Sequence, residues 1–436
     1  MTATETKAWS LPAARVTLKG FGERVSNLTL HDAAGAEVPV RKLAPGEFEA
    51  ARAASKFSYD LNLDPPFVTS DAAHVSWLSG GRGIIFLSDV LPVLPAKGRA
   101  TFKLPAGWQI FSVEPKDREG NYEVTDLLRS LFVIGRDLRD RSGQVNSMDV
   151  SYVTAGEWAF PDDELIETSK ETLDDYRKVL GAMPRRRSTV VLMPFPTQVA
   201  GHVWSAETRG GTVLLLSGHL PSKTAALAQL NGALTHELFH LWVPNGLALD
   251  GEYGWFYEGF SLYQALRTGT RQGRLTFQDY LTAMGRAFDG YKSARGRQEL
   301  SLVEASERRL TGNTALVYHK GMLVAFLYDL MLMRRTEGKS SLDEVYRELY
   351  RRYGQRETRE NASRAVVSAL GAMPGMQGFV DNYISNPTRI ELKDEIEVFG
   401  LRVEPGGIRT RVVVSDSITR QQRDLLRRLG YNGRRG

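Results

Sequence analysis

The sequence predicts an α+β protein in which a β-rich N-terminal part is followed by a mixed central part and a mainly helical C-terminal part. Between residues 15 and 113, short apolar runs are separated by Pro and Gly, a pattern typical of strands joined by turns. Between residues 223 and 242, leucines recur at three- and four-residue steps, which is the period of a helix with one apolar face. After Thr276 helical patterns predominate up to about Tyr383.

The β-rich part is expected to span residues 1–155. Its strands are predicted at residues 16–18, 28–30, 57–61, 83–87 and 100–104. Each run is rich in β-branched, aromatic or aliphatic residues and is bounded by residues that favour turns. These features predict a β domain.

The central part, predicted at residues 156–270, combines helices and strands. A helix is expected at 165–180, a buried strand at 188–193 and a further strand around Glu207. The helix at 223–242 follows Pro221 and Ser222, which are typical of a helix start, and Pro244 should end it.

The C-terminal part, residues 271–436, is predicted to be mainly helical. Ser341 and Glu344 form the pattern of a capping box at a helix start. The alternation at residues 396–414 predicts a short β segment that returns as a hairpin.

Composition narrows the class of protein without specifying an activity. The chain has 436 residues, 42% of them hydrophobic, which is enough for two or three domains. The net charge of +5 is small and the basic clusters are scattered, so no nucleic-acid-binding face is predicted. No apolar stretch approaches the ~20 residues of a membrane span. Residues 322–333 predict a buried helix, because Asp329 interrupts them.

The absence of cysteine excludes disulfides and thiolate ligands alike, and it does not reveal the compartment. The first nine residues lack the apolar core of an export signal. We expect a cytoplasmic protein as the sequence is written, and a periplasmic or secreted one if a leader has been removed. Nothing in the sequence indicates the oligomeric state.

The most informative motif consists of His236, Glu237 and His240. Residues four apart on a helix lie on one face, so two imidazoles can share one metal ion while the intervening glutamate reaches a bound water. The alternative is a pair of histidines that are hydrogen-bonded in a helical core. The position of the motif late on a predicted helix favours the metal, and the chemistry is that of a zinc hydrolase with one zinc ion.

A hydrolytic zinc site needs a third protein ligand and one open position for water. Glu258 is the candidate, because it lies in a segment that resumes the helical period after a glycine-containing loop. The carboxylates of Asp250 and Glu252 are nearby alternatives, which we expect to be solvated. With this ligand set, Glu237 would accept a proton as the general base.

These segments resemble the glycyl aminopeptidase family of gluzincin zinc metallopeptidases, which is related to the leukotriene hydrolase and alanyl aminopeptidase family. The resemblance covers residues 234–242 and 257–263, then 317–330 and 338–344, and finally 206–213. It implies a thermolysin-like catalytic domain in the central part and a peptide substrate. Relatives in this family are often exported.

The resemblance also implies roles for individual residues. Tyr318 matches the catalytic tyrosine, which donates a hydrogen bond to the oxygen that becomes negative. The neighbouring His319 is an alternative donor, and only one of the two can face the metal. Glu207 matches a glutamate that contacts the substrate, where it would neutralise a free amino group. Leu262 is apolar where thermolysin-like sites place a carboxylate that orients a histidine ligand, so another group must do this.

Three functions remain open at this stage. The first is an aminopeptidase that acts on small N-terminal residues, and the second is a zinc endopeptidase with the same mechanism. The third is a non-catalytic relative that binds peptides. The presence of all five expected residues argues against this third function; they are His236, Glu237, His240, Glu258 and Tyr318.

Overall fold

A computed structural model of the protein describes residues 2–11, 14–15, 18–19, 21–92, 97–354, 356, 358–404 and 407–433. Within them the chain forms two compact units. Unit 1 comprises Met1–Asp162 and Arg186–Ala226, and unit 2 comprises Asp163–Arg185 and Leu227–Gly436. The protein mixes α and β structure, as predicted, while the three-part division of the chain stays a prediction.

Unit 1 is built mainly from three sheets. The first has five strands. The long strand Glu47–Leu61 pairs with Thr2–Ser10, Val25–His31 and Val40–Ala44, and Glu37–Val38 pairs with Val25–His31. The second is antiparallel, in the order Gln109–Phe111, Leu131–Gly135, Arg82–Phe86, Trp77–Ser79. Two small strand pairs accompany them, Ala14–Arg15 with Leu18–Lys19 and Gly98–Ala100 with Tyr122–Val124.

The third sheet of unit 1 is mixed. Its order is Arg139–Val145, Met148–Thr154, Arg187–Pro194, Thr212–Ser217, Trp204–Arg209. The three middle strands are parallel to one another and the two edge strands are antiparallel to their neighbours. The middle strand Arg187–Pro194 is buried over most of its length, as its apolar run predicts.

Of the strands predicted in unit 1, one is shorter than predicted and one lies mostly outside the described residues. The segment at 100–104 is a strand only as far as Ala100. The ring of Phe102 packs on that of Phe132, with centroids 4.6 Å apart. The apolar residue at this position is therefore explained by side-chain packing rather than by strand pairing. The strand predicted at 16–18 lies mostly outside the described residues.

Unit 2 is mainly helical. Its longer helices are Asp162–Leu180, Lys223–Phe239, Ser261–Arg271, Phe277–Ser293, Thr314–Arg335, Leu342–Tyr353, Ala362–Gly371 and Arg420–Arg427. Shorter helical segments are Trp255–Phe260, Leu302–Glu307, Gln377–Val380, Asp381–Ser385 and Leu392–Glu397. The strands Leu401–Val403 and Val412–Val414 pair antiparallel within the segment 396–414 predicted as a hairpin, whose first two residues belong to the helix Leu392–Glu397.

Two helices of unit 2 position the candidate site. The motif helix is Lys223–Phe239, which begins after Ser222 as predicted but ends three residues before Trp242. The tyrosine helix is Thr314–Arg335. It is the one described helix long and apolar enough to cross a membrane, but 83% of its most apolar window is buried inside the protein.

Polar contacts tie the helices of unit 2 together. The hydroxyl of Tyr176 donates to the main-chain oxygen of Thr235 at 2.8 Å, which fixes the helix Asp162–Leu180 against the motif helix. The buried carboxylate of Asp329 accepts hydrogen bonds from the Tyr263 hydroxyl at 2.6 Å and from the Leu342 main-chain nitrogen at 2.8 Å. The capping box predicted at Ser341 is present.

Candidate metal centre

His236, His240 and Glu258 converge in unit 2. The two Nε2 atoms of the histidines are 3.1 Å apart. Oε2 of Glu258 lies 3.5 Å from each of them. Ligand atoms bound to one tetrahedral zinc ion at about 2.0–2.1 Å are roughly 3.3 Å from one another. The three donor atoms therefore form a triangle of the size that zinc requires, and their chemistry, two imidazoles and a carboxylate, suits zinc.

The end of the motif helix explains the approach of the two imidazoles. His236 lies in the last turn of the helix and His240 immediately follows its end. The main-chain nitrogen of His240 donates a hydrogen bond to the main-chain oxygen of Glu237 at 3.0 Å, so the chain tightens at this point. All three motif residues are buried, with 5–6% of their surface exposed.

Glu258 lies on an unusually wide helical turn. The segment Trp255–Phe260 is a π-helix that continues into the α-helix Ser261–Arg271. Such turns are rare, and many occur at functional sites. The main-chain nitrogen at the start of the turn, that of Trp255, donates to the hydroxyl of Ser306 at 2.8 Å, which anchors it.

Both histidine rings are oriented by hydrogen bonds on the side away from Glu258. Nδ1 of His240 donates to the main-chain oxygen of Val243 at 2.8 Å. Nδ1 of His236 is 3.4 Å from the hydroxyl of Ser261, which itself donates to the main-chain oxygen of Tyr257. A proton on each Nδ1 leaves the lone pair of each Nε2 directed at the shared point. The main-chain carbonyl of Val243 and the hydroxyl of Ser261 thus orient the two histidines. The apolar Leu262 provides no carboxylate for this purpose.

The electrostatics of the three donors favour a positive charge between them. Burial lowers the pKa of His240, but the hydrogen bond and charge of Glu258 outweigh it and raise that pKa to about 9. Burial raises the pKa of Glu258, but the two histidines hold it well below its usual range. A metal cation would take the place of the proton that these groups otherwise share.

Tyr318, rather than His319, lies beside these donors. Burial, followed by the negative charge of Glu258, raises the pKa of Tyr318 well above its usual value, and the charge of Glu237 adds to this rise. The Tyr318 hydroxyl therefore stays protonated and can donate. His319 packs against Gly290 of the neighbouring helix, and burial lowers its pKa.

A close crossing of two glycines brings Tyr318 to the site. A Cβ atom built on Gly259 would lie 2.5 Å from the Cα of Gly321, and one built on Gly321 would lie 2.6 Å from the main-chain oxygen of Trp255. Only glycine allows two backbones to approach this closely. The tyrosine helix consequently lies directly on the π-helical turn that carries Glu258.

Glu207 belongs to unit 1. It lies on the edge strand Trp204–Arg209. Its Oε2 is 2.7 Å from Nδ1 of His74, and its Oε1 is 3.2 Å from the guanidinium of Arg209. Burial raises the pKa of Glu207, but the charges and hydrogen bonds of Arg209 and His74 outweigh this and lower it to about 2.

The sequence analysis missed three residues in these clusters, Arg309, His74 and Ser261, and only the last has a signal in the sequence pattern. Arg309 donates from Nη1 to Oε1 of Glu258 at 3.2 Å, across 51 positions of the chain. His74 and Glu207 are 133 positions apart. Ser261 follows Glu258 by three positions, and the helical period alone could have indicated that it lies near the ligand.

Comparisons with known proteins bear on the fold of the chain. No protein-family model matches the chain, and a search of curated sequences finds no similar protein. The fold is that of solved structures described as aminopeptidase N family proteins and M1 zinc metallopeptidases.

Three of these solved structures match most of the chain. An aminopeptidase N family protein from Idiomarina loihiensis matches with a TM-score of 0.78 at 17% identity, over 92% of this chain and 75% of that chain. An M1 zinc metallopeptidase from Deinococcus radiodurans matches with a TM-score of 0.56 at 15% identity, over 89% of this chain and 88% of that chain. A variant of the latter protein bound to a Tyr-Ser-Ala substrate matches with a TM-score of 0.55 at 15% identity, over 90% of this chain and 88% of that chain.

Proposed function

We propose that this protein is a zinc metallopeptidase, and more narrowly an aminopeptidase that acts on small N-terminal residues. The observation that carries the proposal is the triangle of donor atoms from His236, His240 and Glu258, with edges of 3.1, 3.5 and 3.5 Å. Its size suits one tetrahedral zinc ion with three protein ligands. The fold shared with M1 zinc metallopeptidases supports the same class.

The protein's own residues supply the remaining chemistry. When bound, zinc would acidify a water molecule and polarise the carbonyl of the peptide bond. Glu237 accepts the proton of the attacking water and passes it to the leaving amine. Tyr318 donates its phenolic hydrogen to the carbonyl oxygen as negative charge develops there. The raised pKa of Tyr318 supports this role, because an ionised phenol could not donate.

Metal analysis tests the zinc proposal. The unmodified protein is expected to hold one zinc ion per chain, and His236→Ala is expected to lose it. His219→Ala is the matched control, because His219 is exposed and is not one of the proposed ligands. Absence of stoichiometric zinc from the unmodified protein would overturn the proposal.

Recognition of a free amino group is proposed for Glu207. The carboxylate of Glu207 would neutralise the substrate's ammonium group and so measure the distance to the first peptide bond. Aminoacyl substrates with a free amine should then be hydrolysed, while amino-blocked versions should not. Glu207→Gln should reduce this discrimination without loss of zinc. The control is Glu337→Gln, whose side chain is 78% exposed.

One observation favours the alternative, a zinc endopeptidase. Each oxygen of the Glu207 carboxylate already has a cationic or hydrogen-bonding partner, Arg209 for Oε1 and His74 for Oε2. A carboxylate paired in this way attracts an ammonium group less strongly than a free one. Equal cleavage of free and amino-blocked substrates would support the endopeptidase and refute the aminopeptidase.

A further inference from the structure

Arg309 holds the oxygen of Glu258 that does not face the histidines. Its Nη1 donates to Oε1 of Glu258 at 3.2 Å, while Oε2 lies 3.5 Å from Nε2 of both His236 and His240. The two oxygens of the Glu258 carboxylate therefore have different partners: Oε1 accepts from Arg309, and Oε2 faces the histidines. The Arg309 side chain is 24% exposed and that of Glu258 is 13% exposed, so solvent screens the pair only in part.

The guanidinium of Arg309 is itself held in place. Its Cδ would be 3.3 Å from a Cβ built on Gly254, so the absence of a side chain at Gly254 makes room for the arginine stem. Its central carbon lies 5.5 Å from the ring centroid of Tyr257, within the range of a cation–π contact. These contacts leave the guanidinium little freedom to turn away from Glu258.

Which oxygens of a carboxylate bind a metal decides how many positions stay open. A carboxylate can ligate through one oxygen or through both, and a zinc site for hydrolysis must keep one position for water. A charge-assisted hydrogen bond on Oε1 of Glu258 removes that oxygen from competition for the metal. Loss of the bond would let the carboxylate rotate about its terminal torsion, which is a soft one.

We propose that Arg309 is a positioning residue that fixes Glu258 as a one-oxygen zinc ligand and so keeps a coordination position free for the reaction. The inference rests on the proposed zinc peptidase function and concerns the same site. Partners that orient metal ligands in this way typically change metal affinity or activity by about 10–100-fold when they are removed.

The test compares Arg309→Met with Arg309→Lys. The methionine keeps most of the apolar stem and removes the charge and the donors, while the lysine restores one cationic donor without the planar fork. Arg308→Met is the matched control, because Arg308 is the adjacent exposed arginine. Thermal unfolding of each purified variant establishes that it is folded.

Three measurements read out the position of Glu258. Zinc affinity is measured by competition with a chelator, and kcat and KM are measured with a peptide substrate. The coordination number is inferred from the visible absorption of the cobalt-substituted protein. Arg309→Met is expected to weaken zinc binding and to lower kcat, each by roughly 10–100-fold, while KM changes little. The visible absorption of its cobalt-substituted form should be weaker, because a higher coordination number weakens that absorption. Arg309→Lys should recover part of each loss.

The outcomes separate this inference from the proposed function. If the unmodified protein binds no zinc, the proposed function fails. If it binds zinc and hydrolyses peptides, but folded Arg309→Met keeps zinc affinity, kcat and cobalt absorption within twofold of Arg308→Met, the inference alone is wrong. A lysine variant no better than the methionine variant also overturns it.

Discussion

Substitution of Gly321 by alanine should disturb the candidate site through the backbone rather than through any reacting group. The Cβ of this alanine would lie 2.6 Å from the main-chain oxygen of Trp255 and 3.0 Å from the Cα of Gly259. Both neighbours are backbone atoms, so no side chain can rotate away. The tyrosine helix and the π-helical turn must move apart instead.

The size of the movement follows from these distances. To extend the 2.6 Å contact to an ordinary van der Waals distance of 3.4 Å, the two segments must separate by about 0.8 Å. Tyr318 lies on one segment and Glu258 on the other, so their spacing changes directly. A displacement near 1 Å can reduce a rate by about 10²-fold. Overpacking should also cost about 1–3 kcal/mol of stability, partly offset by the better helix propensity of alanine.

The assay is kcat with a peptide substrate, together with zinc content and urea unfolding. Gly321→Ala is expected to lower kcat by roughly 10–100-fold, with zinc retained. Gly232→Ala on the motif helix is the matched control, because a Cβ there meets nothing within 4 Å. This control should be fully active and slightly more stable. A Gly321→Ala variant with kcat within twofold of the control would refute the argument that the glycine crossing sets the position of Tyr318.

Three further predictions concern single side chains. Glu237→Gln should lower kcat by about 10²–10⁴-fold with zinc still bound, because the residue transfers protons and does not ligate. Tyr318→Phe should lower kcat by roughly 10²–10³-fold with KM little changed, because it loses one donor to the developing oxyanion. Lys320→Met should stabilise the protein at pH 7 by roughly 3 kcal/mol, because Nζ of Lys320 is buried and has no hydrogen-bond partner within the described residues. Activity assays with metal analysis check the first two, and urea unfolding at pH 7 and pH 10 checks the third.

The pH dependence of the lysine variant has a definite sign. Burial lowers the pKa of Lys320 from 10.5 to about 8. Above pH 10.5 the amine is neutral in the folded and the unfolded chain, so the substitution has no electrostatic effect there. The cost of the buried charge grows as the pH falls from 10.5 to 8 and is complete below 8. The exposed Lys339, as Lys339→Met, is the control for loss of a surface lysine. A gain in stability for Lys320→Met that is equal at pH 7 and pH 10 would contradict the reasoning.

Sequence reasoning was most successful where the chemistry is local. His236, Glu237 and His240 are placed by the helical period alone, and the structure brings the two histidines together. Glu258 required the further step of a turn and a returning helix, and its Oε2 lies 3.5 Å from Nε2 of His236. The periodicity of one helix cannot decide between Tyr318 and His319, because that choice depends on which segments pack against each side of the helix.

The contacts that the sequence could not predict are those between distant segments. Arg309 contacts Glu258 across 51 positions, and His74 contacts Glu207 across 133. Neither pair has a fixed spacing that a helix or a strand would impose, so only the folded chain places them. The motif helix also ends earlier than its leucine period predicts, because the main chain tightens at His240.

The residues proposed for hydrolysis and the residue proposed to recognise the amino group belong to different units. The three proposed ligands, Glu237 and Tyr318 all lie in unit 2, whereas Glu207 lies in unit 1. The geometry that supports zinc chemistry is therefore no evidence for selection of a free amine. Loss of the Glu207 charge should change which substrates are cleaved while zinc content stays the same, whereas loss of His236 should abolish both zinc binding and cleavage of every substrate. If Glu207→Gln lost zinc as well, this separation between the two functions would be wrong.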